Sequence, residues 1–135
     1  DARFVEHVEH AGEAAAHPKL WQDVSEGIAA FFEDLHAHGE GENVVMYLFS
    51  EFGRRVRDNG SGTDHGAAGV AFAIGDTVKG GMYGQYPSRK PEDLEQGDLV
   101  PNYDFRGLYT TLVEDHFGLD AKPIVNGNFE KHSFL

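Results

Sequence analysis

The sequence predicts a single α/β domain, with a mainly parallel sheet flanked by helices. Three observations predict it. Residues 44–49 (VVMYLF) form an unbroken apolar run of strand length, the pattern of a strand buried on both faces of a parallel sheet. Residues 67–74 (AAGVAFAI) form a second such run. A helix-spaced apolar stripe lies just before the first run, and helix, short loop and buried strand make half of a βαβ unit. A chain of 135 residues suits one domain around one core. It shows no internal repeat and no low-complexity linker, so the domain is taken as residues 1–135.

Taken in order, residues 3–16 read as a helix, with Ala14, Ala15 and Ala16 as strong helix formers. His17-Pro18 opens a second helix, because Pro is tolerated at a first helical position. Leu20, Val24, Ile28, Phe31 and Leu35 give that helix its apolar stripe. Trp21 and Phe32 widen it, and Gly39 ends it. The strand at 44–49 stops at Ser50-Glu51 and runs into a polar, Gly-rich loop ending in Asp64-His65-Gly66. After the second strand, Gly75-Asp76 marks a turn. Residues 76–103 read as a hairpin-like excursion around Lys79-Gly80-Gly81 and then a long surface loop. Asp104 is an N-cap for a helix over 105–117, closed by Gly118. Residues 123–125 read as a short edge strand.

Composition narrows the function classes. The net charge is −12. Residues 1–40 hold nine acids against only Arg3 and Lys19. Such a surface repels phosphate backbones, so no nucleic-acid partner is expected. It is compatible with metal cations, and it also simply keeps a protein soluble. There is no Cys, hence no disulfide, thiolate site or Cys nucleophile. No apolar run approaches a membrane span. The compartment is open: periplasmic or exported if a signal lies upstream, otherwise cytoplasmic.

The chemistry-bearing residues gather beyond the first strand, where open α/β sheets bind ligands. Glu51, Asp64 and His65 are candidate metal ligands, and Arg54 is a candidate anion clamp through its planar fork. In the first helix, Glu9 and His10 join the candidate ligands, with His7, Glu13 and His17 at helical spacing, although the same spacings are more often a solvated polar face with no fixed ligand. The cofactor these residues would take is a divalent metal such as zinc, manganese or calcium, and the set suits hydrolysis of an anionic ester. The structural alternative is equally open: ion pairs that organise the loop, with Asp64 capping a turn. There is no Gly-x-Ser-x-Gly elbow and no His-Glu-x-x-His. Asn59-Gly60-Ser61 matches a glycosylation sequon, but Asn-Gly is read here as a turn.

The segments SEFGRR (50–55), NGSGTDHG (59–66) and VKGGMYG (78–84) resemble the C-terminal third of a bacterial sulfatase-like family of unknown function in the alkaline phosphatase superfamily. His17-Pro18-Lys19-Leu20 and Asp104-Phe105-Arg106 also fit that pattern. The resemblance implies a partial alkaline-phosphatase-like three-layer fold and metal-dependent hydrolysis of phosphate or sulfate esters. It implies metal-ligand roles for Glu51, His65 and His10. Phe52 stands where catalytic members carry His, and Val8 where an Asp belongs. The nucleophile of such enzymes lies in an N-terminal half this sequence does not contain, so the chain is expected to be a segment that is not catalytic alone. The alternative function is a non-catalytic α/β module for oligomerisation or cation binding. Either way, unpaired strand edges and helix faces predict a homo-oligomer.

Overall fold

The computed structural model describes residues 13–135 of the chain. It opens on helix α1, Glu13–Ala37, one continuous element of 25 residues. The expected break at His17-Pro18 does not occur. Pro18 sits inside the helix, where it forgoes one backbone hydrogen bond to the carbonyl four residues earlier. The helix stops at Gly39, which takes φ +72°, a left-handed geometry that costs Gly nothing. The part of the expected first helix before residue 13 lies outside the described residues.

The four strands are β1 (Met46–Leu48), β2 (Gly53–Asp58), β3 (Thr63–Gly66) and β4 (Phe72–Ile74). They form two separate two-stranded sheets, β1 with β4 and β2 with β3, both antiparallel. The class is therefore mixed helix and strand, and the expected parallel, alkaline-phosphatase-like sheet is corrected. The reason is topological. Parallel neighbours need a crossover, usually a helix, and the segment from β1 to β4 contains a hairpin instead. Nor is the apolar run 44–49 buried on both faces: its residues are half-buried and Phe49 is exposed.

The β2–β3 hairpin falls in the stretch expected to be loop. Gly53 pairs with Gly66 and Arg54 with His65, and the ladder shifts register before Asp58 pairs with Thr63. Both glycines permit close backbone contact. A Cβ on Gly53 would lie 1.7 Å from the Ala68 carbonyl oxygen, and one on Gly66 would lie 2.6 Å from the Arg54 carbonyl carbon. The segment after β3 thus folds directly over β2. This explains the glycines of SEFGRR and TDHG in terms of packing.

Residues 76–103 contain one short 3-10 turn, Pro91–Asp93, and no strand, so the hairpin expected around Gly80 is absent. Helix α2 (Phe105–Thr111) begins at Asp104, whose side chain accepts from the Arg106 N–H as expected of an N-cap. A π-helical turn, Leu112–His116, extends it, and Gly118 follows with φ +66°. The expected edge strand at 123–125 is instead a short helix, α3 (Lys122–Val125), with Asn126 at its end in the left-handed region.

Apart from Ala68, the buried side chains among the described residues lie in this last third, including Thr111, Ala121, Val125, His132 and Phe134. Thr111 knits it together. Its Oγ1 donates to the Gly107 carbonyl at 2.9 Å and accepts from the His132 N–H at 2.9 Å. Lys79 N–H donates to the Phe134 carbonyl at 2.7 Å, tying the terminal segment to the central loop.

By contrast, no described side chain of α1 is fully buried. Its anchors include an edge-on contact of Trp21 with Phe72 and a hydrogen bond between His36 Nε2 and the Asp76 carboxylate at 2.9 Å. Gly41 makes room for that pair: a Cβ there would lie 2.3 Å from an Asp76 oxygen.

Candidate functional site

The candidate site is the β2–β3 hairpin and the bend that feeds it. Glu51 lies two residues before β2, exposed, with the Ser50 hydroxyl 3.5 Å from its carboxylate. Arg54 and His65 are cross-strand partners. The His65 ring stacks on Phe52 with centroids 3.5 Å apart, and the Arg54 guanidinium lies 5.5 Å from the same ring. Arg54 Nη1 also donates to the Thr63 carbonyl at 2.9 Å. One aromatic ring therefore carries an imidazole on its face and a cation nearby.

Asp64 is turned to a different task. Consecutive residues in a strand point to opposite faces, so Asp64 and His65 of β3 diverge. Asp64 accepts from the Asn59 amide at 2.9 Å and braces the turn. Arg55 pairs with Asp98 at 3.5 Å. The hairpin thus gathers Arg54 with His65, sets Asp64 on the other face, and leaves Glu51 at its foot. Glu9 and His10 lie outside the described residues. Among the described residues, no three His, Asp or Glu side chains converge as a metal cage.

Electrostatics concentrate elsewhere. The Asp104 carboxyl is held down from 3.8 to about 2, first by its side-chain bonds to Arg106 and then by the Arg106 backbone N–H. Arg106 Nε and Nη2 donate to the two carboxylate oxygens at 2.9 and 2.6 Å. The same guanidinium lies 4.0 Å from the Phe129 ring. Burial, with a smaller contribution from Tyr109, raises the Tyr47 phenol above its usual 10. A cleft of about 280 Å³ lies near α3, lined by Thr110, Glu114, Asp120, Lys122 and Lys131 among others. It is remote in sequence from the hairpin, and its Lys131 is engaged with acids, 3.2 Å from Glu114 and 2.6 Å from Asp115. The hairpin remains the better candidate because it holds the cross-strand imidazole and guanidinium.

The missed element is the hairpin itself. Its signal was Asn59-Gly60 between two short polar stretches, a strong hairpin pair where the flanks alternate. The flanks are too charged to show that alternation: Arg54, Arg55, Arg57 and Asp58 leave Val56 as the one aliphatic residue of β2.

A family described as "Protein of unknown function (DUF1501)" matches residues 2–128. The chain belongs to the DUF1501 family. That assignment replaces the resemblance to a sulfatase-like family of the alkaline phosphatase superfamily, because the DUF1501 match carries neither designation. No curated protein and no solved structure matches the chain. DUF1501 membership covers α1, both sheets and α2, so the hairpin and its side chains lie inside the family region.

Proposed function

We propose that this chain is a non-catalytic module for assembly, and that α1 pairs with a second copy of itself. The observation that carries this reading is the bare stripe of α1. Leu20, Ile28, Phe32 and Leu35 are only half-buried, while Trp21, Val24 and Phe31 are each at least 40% exposed. A helix of this type draws most of its stability from packing its apolar face, and aromatic residues are enriched at interfaces.

Light scattering tests this directly. The expected result is a dimer or higher oligomer that becomes monomeric in Val24→Glu/Phe31→Glu, with helical circular dichroism retained. A monodisperse wild-type monomer at high concentration would overturn the reading.

A second reading is metal-dependent hydrolysis of an anionic ester, with the hairpin as one wall of the site. It is favoured by the pairing of Arg54 with His65 on adjacent strands, with Glu51 at the hairpin's foot. In this reading Glu51 and His65 ligate a divalent ion, and Arg54 holds the anion. Asp64 and His65 diverge, so one ion would take its remaining ligands from elsewhere. Metal analysis of tag-free protein is the test. The expected result is near-stoichiometric zinc, manganese or calcium, lost in Glu51→Ala and in His65→Ala. Absence of metal, with no chelator effect on melting, would remove this reading and leave the assembly reading standing.

A further inference from the structure

We propose that Asn59-Gly60, at the tip of the β2–β3 hairpin, is a self-modification site. There the Asn59 side chain cyclises onto the Gly60 backbone nitrogen and loses ammonia. The inference is independent of both functional readings above.

The chemistry makes four demands, and the turn supplies a group for each. The attacking nitrogen must be able to approach the Asn59 Cγ. Gly60 has no side chain, takes φ +98°, and has nothing within 4 Å of where a Cβ would stand. The nitrogen must shed its proton, and Gly60 N–H already donates to Asp58 Oδ1 at 2.6 Å. A carboxylate there is placed as a general base. Negative charge then develops on Asn59 Oδ1. That oxygen accepts from the backbone N–H of Ser61 at 3.0 Å, the N–H of Gly62 at 3.0 Å and the Ser61 hydroxyl at 3.2 Å. Three donors on one carbonyl oxygen form the arrangement that stabilises a tetrahedral oxyanion. The leaving nitrogen, Asn59 Nδ2, donates to Asp64 Oδ1 at 2.9 Å, which orients it away from the ring being formed.

The balance is simple. The Gly60 N–Cγ bond forms and the Cγ–Nδ2 bond breaks. The proton shed by Gly60 leaves through Asp58 and solvent and is returned to the departing nitrogen, which exits as ammonia. Water then opens the cyclic imide at either carbonyl, giving aspartate or isoaspartate at position 59. No oxidant, metal or enzyme is required.

The product differs from the parent at the point that braces the hairpin. The donor to Asp64 becomes a carboxylate between Asp58 and Asp64, on a chain whose net charge is already −12. Like charges at this spacing repel. The isoaspartyl form also lengthens the backbone by one atom within a turn that sets strand register.

A second Asn-Gly pair in the same chain provides the control. Asn126 closes α3, and the Gly127 N–H is committed to the Lys122 carbonyl at 3.2 Å rather than to a carboxylate. The test is peptide mapping by mass spectrometry of the whole protein aged at neutral pH. Asn59 is expected to convert at least about tenfold faster than Asn126, and Asp58→Asn is expected to slow Asn59 by about tenfold. Ser61→Ala is expected to slow it as well. In denaturant the two sites are expected to convert at similar rates, because the turn is gone. Asn59 intact while Asn126 converts would overturn the proposal. So would a rate at Asn59 unchanged in Asp58→Asn while circular dichroism shows the fold retained.

Discussion

At the scale of single residues, Asp104 does two jobs that one carboxylate can combine. It caps α2 by accepting from the Arg106 N–H at 2.9 Å, and it binds the Arg106 guanidinium through both oxygens. Both interactions require the charged form, so its folded pKa falls from 3.8 to about 2. A depressed carboxyl stabilises the fold above its unfolded pKa and loses that contribution as pH falls through the folded value. The window is therefore from 3.8 down to about 2. A carboxyl-carbon NMR titration is expected to give Asp104 a midpoint near 2, and Asp104→Asn is expected to weaken the pH dependence of melting across that window. A midpoint at the ordinary value would refute the pairing. Both groups face solvent, so added salt is expected to raise the midpoint.

Elements differ in how tightly glycine is required. In the hairpin, Gly53 cannot carry a side chain without moving Ala68, whose carbonyl oxygen would lie 1.7 Å from the new Cβ. Gly53→Ala is expected to cost about 3 kcal/mol or more in urea unfolding. In α1 the opposite holds. Gly27 has nothing within 4 Å of a Cβ, and Gly inside a helix is weaker than Ala by about 0.5–1 kcal/mol. Gly27→Ala is therefore expected to stabilise. Finding the two substitutions equal in effect would contradict the account of the hairpin as two backbones pressed together.

For the whole molecule, the distribution of burial decides what to expect. Apart from Ala68, the buried side chains sit in the last third, around Thr111, Val125 and Phe134, while α1 keeps Trp21, Val24 and Phe31 exposed and the rest of its stripe half-buried. If a second copy covers that stripe, mass action stabilises the fold as protein concentration rises. The melting temperature of the wild type is expected to rise by several degrees over a hundredfold increase in protein concentration for a domain of this size. The Val24→Glu/Phe31→Glu variant is expected to melt at a concentration-independent temperature. A wild-type melting temperature independent of concentration would remove α1 as an assembly face.

Local signals were legible because local physics produces them. The stripe from Leu20 to Leu35 lies on a helix, Gly39 and Gly118 adopt left-handed backbone near helix ends, and Asp104 caps α2. Each needs only neighbours within a turn of chain. Strand partnership was not legible. The apolar run at 44–49 is equally consistent with a parallel and an antiparallel neighbour, and β1 pairs with β4, whose residues lie 24 to 28 positions away. The hairpin was hidden because its strands are charged on exposed faces, and only the close approach of Gly53 to Ala68 and of Gly66 to the Arg54 backbone reveals why those glycines stand there. The candidate residues Glu51, Arg54, Asp64 and His65 could be named from sequence alone. Pleating decided that His65 joins Arg54 and that Asp64 turns away, because alternation along a strand is a property of paired backbone. By itself the sequence determined the stripe of α1 and its end near Gly39, the Asp104 cap of α2 and the acidic charge. Only the tertiary structure decided which strands meet, which side chains share a face, and that α1 leaves its apolar stripe partly exposed.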